Sequence, residues 1–513
     1  CCLMQEIKNG IDRTHLKYIV GMLIMLYVMQ ACYDDNSSLA DQPIIEVGIN
    51  SGTRDSIDIY FNDTLKINPE LEISRSTELT YQWSMGVFKA DSTTVYKEIS
   101  TEKDLKYIVR ELGHFHLRQV VTSEDGSTIR YYHVFVNSPF EEGFTILGRR
   151  PDGKGSLAFM KTLTKNEEAS GMRPEFIQNA FVFANEGKEL YLDPVDCDKV
   201  EQSLYILHGE GQKLVQIDAK TFKVLMEYDF RYYDANFIPT RLMCYDGRFS
   251  REFYVPSKNG GVAQVQTVEQ YIFPYPDLPK EKGIIYTDAN DRPSYFSSCS
   301  KVYIGSTPGK ERNVVCFSGA NADREITMRN CYDYFENRYV MHIFQNEETD
   351  GNNVYVINKD GGQLKVTGIH RMMYNFNEGT APWVLFERVL DRPEIITEAT
   401  RFLVNDYYTC VFFSHKNEVY KWFYTQLNLP ATPFITLPEG EEIRCLNHYQ
   451  RNRGDEDYQD YSVQKEVYVA SYNPNRAGEY KGSLYVYNAD TGELVNKYEG
   501  ISHEPVAMFY KIK

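Results

Sequence analysis

Three segments of this chain share one strand–turn–strand pattern, and this pattern restricts the fold more than any other sequence feature. The segments are KLVQIDAKTFKVLMEY from Lys213, NVYVINKDGGQL from Asn353 and SLYVYNADTGELVNKY from Ser483. In such turns Asp bonds to its own backbone, and Gly takes the positive φ that reverses the chain. Gly362 and Gly492 stand at the matching position. The pattern predicts repeated β-hairpins.

The spacing of these hairpins predicts a β-propeller. The copies begin 140 and 130 residues apart, and each interval fits three units of about 45 residues, the length of one propeller blade. No long segment has helical periodicity. We therefore predict an all-β fold in which residues 138–513 form a propeller of about seven blades, with eight as the alternative. The terminal segment YEGISHEPVAMFYKIK is a candidate closing strand.

Residues 43–137 have a different pattern that predicts a separate β-sandwich. Short runs rich in aromatic and β-branched residues alternate with polar turns, which is typical of strands. The runs are IDIYF (57–61), LTYQWSM (79–85), VYKEIS (95–100), HFHLRQVVT (114–122) and IRYYHVFVN (129–137). About 95 residues of such strands with one Trp favour an immunoglobulin-like sandwich with Trp83 in its core.

Two histidines in this unit, His114 and His116, are two residues apart on one predicted strand. They therefore point to the same face and are candidate metal ligands. No third candidate ligand stands near them in the sequence. We therefore expect two surface or packed histidines and predict no metal site.

The N-terminal residues have the pattern of a secretory leader. Fourteen almost wholly apolar residues, Tyr18 to Ala31, follow the basic Lys8, Arg13 and Lys17. A helix that spans a bilayer needs roughly 20 apolar residues, whereas a signal peptide has an apolar core of about 7 to 15. We expect residues 1–31 to be a signal peptide and the polar residues 32–42 to be a solvated tether.

Cys32 stands directly after Ala31 at the end of this leader. With Val28 and Met29, it forms a segment that resembles a bacterial lipobox, in which the cysteine thiol is diacylglycerated and becomes the new amino terminus. The resemblance implies that Cys32 is the lipid attachment residue. The alternative is an ordinary free cysteine after a conventional signal peptide or a short anchor helix.

Charge and motifs exclude several functions. The formal net charge is −17 and no run of Lys or Arg is present, so we predict no nucleic-acid partner. G-x-S-x-G, H-E-x-x-H, Walker and G-x-G-x-x-G motifs are missing, and we predict no catalytic residues. Two acidic loops, 346–353 and 454–462, carry oxygen ligands suited to calcium but lack EF-hand spacing. We predict no cofactor, with calcium as the alternative.

Aromatic clusters in loop-like runs are the best lead to a ligand-binding face. CYDYFENRY (331–339) and RMMYNFNEGTAPW (371–383) mix flat apolar rings with hydrogen-bonding groups, which suits ligand recognition. Trp383 is the first candidate for ligand contact, followed by Tyr374 and Tyr334. The competing interpretation is packing between blades.

Several segments together resemble a bacterial lipoprotein family. YQW (81–83), VVTSEDG (120–126) and YYHVFV (131–136) resemble the PKD-like domain of surface lipoproteins of the Bacteroidota, and the acidic pair after Cys32 resembles their export signal. These proteins accompany starch-utilisation-type TonB-dependent transporters and their lid lipoproteins. The resemblance implies a lipid-anchored outer-membrane protein that faces the cell exterior and takes a glycan or peptide ligand.

We therefore predict a non-catalytic nutrient-binding or scaffold accessory of a glycan or peptide uptake system. One alternative is a propeller glycosidase or lyase that acts on an extracellular polysaccharide, because a catalytic carboxylate pair would be hidden among 72 acidic residues. The other is a purely structural subunit that docks on the transporter.

Overall fold

The computed structural model describes residues 44–50, 52, 54–88, 94–244, 252–259, 262–266, 271–274, 284–286, 300–307, 310–318, 327–330, 333–335, 337–345, 353–370, 384–423, 426, 428–449 and 461–513. These residues are mostly β-strand, as predicted, and the described helices α1 (Lys165–Ala169) and α2 (Ala180–Ala184) have five residues each. In this part of the chain, no helix has the length and apolar character needed to cross a membrane. The chain divides into two compact units between Val136 and Asn137, and Tyr60–Asn62 group with the second.

The first unit is built on one five-stranded sheet. Its strand order is β2 (Ser56–Tyr60), β9 (Gly126–Asn137), β8 (Gly113–Ser123), β5 (Thr80–Phe88) and β6 (Thr94–Ser100). All five strands predicted for this unit belong to this sheet. Two shorter pairs accompany it: β1 (Val47–Asn50) with β4 (Glu70–Ile73), and β3 (Thr64–Ile67) with β7 (Leu105–Ile108).

Trp83 lies in the core of the first unit, as predicted. Its side chain is fully buried, and its ring stacks on Tyr132 at a centroid distance of 6.2 Å. The indole Nε1 donates a hydrogen bond to the carbonyl of Glu102 at 2.9 Å. Val121 of the same sheet packs against Val47 of β1, so the small pair and the large sheet share apolar surface.

The second unit contains seven four-stranded antiparallel sheets among the described residues, which we call blades 1 to 7. Blade 1 has the order β12 (Phe176–Ile177), β11 (Gly155–Lys161), β10 (Gly143–Arg149), β37 (Glu504–Lys511). Blade 2 is β13 (Pro194–Val200), β14 (Ser203–His208), β15 (Lys213–Asp218), β16 (Val224–Asp229), and blade 3 is β17 (Met243–Cys244), β18 (Glu252–Pro256), β19 (Val262–Gln266), β20 (Tyr271–Pro274).

The remaining four blades also run in chain order. Blade 4 is β21 (Ile284–Tyr286), β22 (Ser300–Thr307), β23 (Lys310–Ser318), β24 (Thr327–Asn330), and blade 5 is β25 (Tyr339–Gln345), β26 (Asn353–Asp360), β27 (Gln363–His370), β28 (Val384–Val389). Blade 6 is β29 (Phe402–Asn405), β30 (Cys410–His415), β31 (Glu418–Trp422), β32 (Ile435–Thr436), and blade 7 is β33 (Glu442–Asn447), β34 (Glu466–Tyr472), β35 (Gly482–Asn488), β36 (Leu494–Ser502).

The last strand of the chain closes the ring. β37 pairs with β10 from Gly143 opposite Lys511 to Arg149 opposite Glu504, which joins the C-terminal segment to the first blade. The prediction of a terminal closing strand is confirmed. The strands β25, β29, β33, β37 and β13 contact one another in succession, so one edge strand of each of these blades faces a common axis. This is the topology of a β-propeller, and the seven four-stranded sheets among the described residues agree with the prediction of about seven blades.

Apolar clusters fill the spaces between neighbouring blades. They join blades 2 and 3, blades 5 and 6, blades 6 and 7, and blades 7 and 1. Trp422 lies fully buried in the cluster between blades 5 and 6, beside Phe344. This packing between blades is the role expected of an apolar residue within a propeller strand.

The first and third hairpins agree down to their hydrogen bonds. Asp218 accepts bonds from the N–H groups of Lys220 and Thr221 at 3.0 and 2.7 Å. At the matching position Asn488 accepts from Asp490 and Thr491 at 2.8 and 3.0 Å, so in this copy the bonding residue is Asn488 and not the Asp of NADTG. The matched turn residues Phe222 and Gly492 both have positive φ, 56° and 75°.

The middle hairpin belongs to a different place in its blade. Asn353 begins the second strand of blade 5, whereas Lys213 begins a third strand and Ser483 lies in one. Its turn is the pair Gly361 and Gly362, both at positive φ. The interval from Asn353 to Ser483 therefore spans two blades and one further strand. The prediction that this interval contains three blade-length units was wrong. The same turn residues can occur in any hairpin of a blade, so they do not show which two strands of the blade the turn connects.

Candidate functional site

Charged side chains from five blades gather near the ends of the axis-facing strands. Because those strands surround the axis, we call this set the axial cluster. Its members precede or lie in the first half of the inner strands of blades 1, 2, 3, 6 and 7: Glu504, Asp196, Arg241, Arg401, Glu442 and Arg444.

Arg444 connects three of these blades. Its Nη2 lies 2.8 Å from Oε2 of Glu442 on the same strand and 3.2 Å from Oε1 of Glu504 on the closing strand. The Nε of Arg401 donates a hydrogen bond to the Arg444 carbonyl at 3.1 Å. The Arg444 guanidinium also lies over the ring of Tyr472, 5.6 Å from its centroid. These contacts hold blades 6, 7 and 1 together at the axis.

Asp196 makes the corresponding connection between blades 2 and 3. Its Oδ2 accepts a hydrogen bond from the N–H of Leu242 at 2.9 Å and lies 3.8 Å from Nε of Arg241. Its Oδ1 accepts from the N–H of Cys197 at 2.9 Å. Both carboxylate oxygens of Asp196 are therefore occupied.

The buried Cys445 follows Arg444 directly and belongs to the apolar cluster between blades 7 and 1. Burial raises the pKa of Cys445 to about 12, and the charged groups that act on it are Arg401, Asp196 and Arg444. Charged groups from blades 2, 6 and 7 thus act electrostatically on one thiol. A thiol with this pKa stays protonated near neutral pH and is a poor nucleophile. Cys197 and Cys410 are likewise free and buried.

Arg401 is one member of the axial cluster with unused hydrogen-bond donors among the described residues, and the buried Nε of Arg444 is another. Its backbone is fixed to blade 6, because its N–H donates to Oγ of Ser414 at 2.9 Å and its carbonyl accepts from the Ser414 N–H at 2.9 Å. Within the described residues, no carboxylate lies within ion-pair distance of its half-buried side chain, and its Nη groups have no hydrogen-bond acceptor. A guanidinium with free donors binds planar anions such as carboxylates in a two-pronged geometry.

Tyr334 is the predicted ligand-binding residue that the structure describes, and it lies in a polar network on blade 5. Its hydroxyl donates to Oε2 of Glu387 at 2.6 Å, and its ring lies 4.1 Å from the guanidinium carbon of Arg338. Arg338 also pairs with Glu387, while Lys365 bridges Glu387 and Asp360 at 3.0 and 2.8 Å. The Tyr334 hydroxyl and ring are therefore both engaged inside the protein.

The charges of this network are stabilised by one another. Burial alone would raise the pKa of Glu387, but hydrogen bonds from Arg338, Tyr334 and Lys365 outweigh it and lower the pKa to about 2. Burial, followed by the bond to Glu387, raises the pKa of Tyr334. A permanently ionised glutamate beside a neutral tyrosine fits a structural role for this network.

The other predicted positions lie outside the described residues. These are Cys32, Trp383 and Tyr374, together with 346–352 and 454–460, which make up most of the two acidic loops. Sequence reasoning did not identify the axial cluster. Its members are scattered along the chain, and only the order of the blades brings them to one axis.

Comparisons with known proteins give similarity in fold alone. No protein-family model and no curated protein matches the chain. A quinonprotein alcohol dehydrogenase-like protein from Bacteroides thetaiotaomicron is 14% identical with a TM-score of 0.49, over 90% of this chain and 99% of that one. Apo AztD from Citrobacter koseri is 9% identical with a TM-score of 0.40, over 72% and 97% of the two chains.

A third solved structure extends the comparison to a eukaryotic protein. Sqt1 from Saccharomyces cerevisiae is 11% identical with a TM-score of 0.37, over 72% of this chain and 86% of that one. At such low identities and TM-scores these similarities do not indicate a ligand or a reaction. The fold assignment of this chain therefore depends on its own sheet order and closing strand.

Proposed function

We propose that this chain is a lipid-anchored protein of the outer-membrane surface that binds a glycan or peptide nutrient for a TonB-dependent uptake system without transforming it. The observation that carries the binding role is the position of Arg401 in a charged cluster at the propeller axis, where its Nη donors have no acceptor among the residues that the structure describes. The anchoring and uptake roles are supported by the resemblance of the leader and of the first unit to PKD-like surface lipoproteins.

The chemistry of the axial cluster favours a ligand that carries a carboxylate. A guanidinium fork recognises a carboxylate through two parallel hydrogen bonds. Uronic acids in glycans and the C-terminus or acidic side chains of peptides all supply that group. The backbone of Arg401, directly before β29, is held by two hydrogen bonds to Ser414 of β30, and rigid elements place binding groups more accurately than loops do.

The same contacts support binding over catalysis. Hydrolysis of a glycosidic bond uses two carboxyl groups that flank the bond, one of them as a proton donor. In the axial cluster Glu442 and Glu504 both hold Arg444, and Asp196 is occupied by Arg241 and two backbone N–H groups. These carboxylates serve to position arginines, so they are poorly placed to attack or protonate a substrate.

We further propose that the first unit is an immunoglobulin-like sandwich of the PKD-like type and that Cys32 carries the lipid. The buried Trp83 and the five-stranded sheet support the first statement. The expected partners are an outer-membrane TonB-dependent transporter and its lid lipoprotein.

A panel of neutral glycans, acidic glycans and oligopeptides tests this function when both binding and product release are measured on the purified full-length chain. We expect binding to carboxylate-bearing members of the panel and no products. Release of shortened glycans or peptides would contradict the non-catalytic role. Failure to bind any member, together with co-purification of a transporter, would favour the purely structural subunit.

A further inference from the structure

Three histidines lie side by side on one exposed face of the first unit. β8 and β9 pair so that His116 is directly opposite His133. Alternate residues of a strand share a face, so His114 lies on this face as well. From the sequence we expected no third ligand near His114 and His116 and therefore no metal site. The first expectation was wrong, because antiparallel pairing returns His133 to them.

The distances between these rings suit a shared metal ion. Nε2 of His114 lies 3.2 Å from Nδ1 of His133, and a coordinating nitrogen of each histidine lies within 4.8 Å of those of the others. With Zn–N bonds of about 2.0 to 2.1 Å, two nitrogens in a tetrahedral site are roughly 3.3 Å apart. The His114 and His133 pair already has this separation. The nitrogen of His116 lies within 4.8 Å of the other two, and its broad χ2 torsion allows the ring to turn toward them.

Neighbouring aromatic side chains pack beside the histidines, and the face that carries His114 and His133 is exposed. The ring of Phe135 stacks on His114 at a centroid distance of 4.3 Å and an interplanar angle of 6°. Gly86 is directly opposite His116 on β5, and a Cβ there would lie 2.8 Å from Cε1 of Tyr96. The Tyr96 ring therefore occupies the space over Gly86, beside His116. His114 and His133 are exposed, which leaves the nitrogens accessible from solvent.

We propose that His114, His116 and His133 bind one divalent transition-metal ion of the Zn²⁺ class, with at least one coordination position facing solvent. Imidazole ligands suit zinc, copper and nickel, whereas calcium and magnesium prefer oxygen. The site lies wholly within the first unit. It is independent of the ligand-binding role proposed for the propeller, and either proposal can fail without the other.

Zinc titration of the full-length chain, purified without a histidine tag and stripped with a chelator, tests the site. We expect one Zn²⁺ per chain in a competition assay against a colorimetric chelator. His133→Gln and His116→Gln each remove one of three ligands, so we expect at least a ten-fold loss of zinc affinity from either. The replaced side chains lie on an exposed sheet face, and thermal unfolding followed by circular dichroism checks that the variants fold.

A matched control is His415→Gln, because His415 is a partly exposed strand-end histidine in blade 6. Its zinc affinity is expected to equal that of the unmodified chain. The proposal is overturned if the unmodified chain binds no zinc, copper or nickel, if His133→Gln binds as tightly as the unmodified chain, or if His415→Gln weakens binding equally.

Discussion

At the scale of single residues, Glu441 shows how blade 7 accommodates a buried charge. Its side chain is 1% exposed, it accepts a hydrogen bond from Oγ of Ser471 at 2.5 Å, and it forms an ion pair with Arg476. Removal of one partner from a buried pair leaves an uncompensated charge in the protein. The arginine is therefore needed for the stability of the blade.

We expect Arg476→Met to lower the free energy of unfolding by about 3 to 5 kcal/mol, because it leaves the buried Glu441 carboxylate without its cationic partner. Urea unfolding followed by circular dichroism measures the change. The control is Lys497→Met, since Lys497 is 57% exposed and pairs with Glu499 at 3.5 Å. Exposed pairs contribute about 0 to 1 kcal/mol. Equal effects of the two substitutions would contradict the buried-pair argument.

Lys511 is a second residue whose charge matters, and it makes stability depend on pH. Its side chain is 1% exposed, and its Nζ donates to the Glu141 carbonyl. Burial, followed by repulsion from Lys199, lowers the pKa of Lys511 to about 7. An unfolded lysine titrates near 10.4. Between these values the unfolded chain binds more protons than the folded chain, so stability rises with pH across that window.

We therefore expect the unmodified chain to gain stability relative to Lys511→Met as pH rises from 7 toward 10. The gain is at most about 1.4 kcal/mol per pH unit. Below pH 7 the difference between the two proteins is constant, because Lys511 is charged in both states. Urea midpoints at pH 7 and 9.5 measure this. The exposed Lys513→Met serves as control, and parallel pH profiles for all three proteins would refute the argument.

At the scale of elements, the closing strand β37 determines whether the ring is complete. It supplies the inner strand of blade 1, and its Met508 is buried in the cluster between blades 7 and 1. Deletion of residues 504–513 removes that strand and exposes the edge of β10. Deletion of residues 512–513 alone leaves β37 intact and is the matched control.

We expect the longer deletion to lower the thermal unfolding midpoint and to make blade 1 sensitive to limited proteolysis, while the control deletion changes neither. An unchanged protease pattern after loss of residues 504–513 would show that β37 is dispensable for closure. Mass spectrometry of the first cleavage products locates the opened segment.

The elements also show what could be predicted from the sequence. The five strands of the large sheet in the first unit were predictable because long aromatic and β-branched runs have few alternatives to a strand. The four-residue strands β1, β3, β4 and β7 are too short to give such a pattern. Phe222 is fully buried with a φ of 56°, a backbone conformation that no pattern predicts for phenylalanine.

The axial cluster could not be predicted from the sequence, because its contacts join residues that are far apart in the chain. The ion pair of Arg444 with Glu504 and the pair of Arg241 with Asp196 each join different blades. Such contacts depend on the order and closure of the blades. The spacing of the hairpins predicted only the approximate number of blades. In the same way, the third histidine of the first unit follows from strand register. The sequence identified Tyr334 as a candidate for ligand contact because it is aromatic. In the structure, however, its hydroxyl bonds to Glu387 and its ring lies against Arg338.

At the scale of the whole molecule, the proposed lipid anchor predicts where the protein resides. We expect the unmodified chain to fractionate with outer membranes and to incorporate labelled fatty acid, because a lipidated cysteine adds buried methylene groups in the membrane. Cys32→Ala removes the thiol and is expected to release the protein. A variant that stays membrane-bound, together with an unmodified chain that incorporates no label, would contradict lipidation at Cys32.

The proposed function requires the propeller to bind its ligand at the axis through Arg401. The most direct test is calorimetric titration of the tightest carboxylate-bearing ligand from the panel into the unmodified chain and into Arg401→Met. Arg388→Met is the matched control, since Arg388 lies on β28, the last strand of blade 5, and donates to the Gln426 carbonyl at 3.2 Å.

Loss of a charged hydrogen-bonded pair costs about 1.5 to 3 kcal/mol, so we expect Arg401→Met to weaken binding by roughly ten-fold or more. Arg388→Met is expected to bind as the unmodified chain does. Unchanged affinity in Arg401→Met, or an equal loss in Arg388→Met, would contradict ligand binding at the axial cluster.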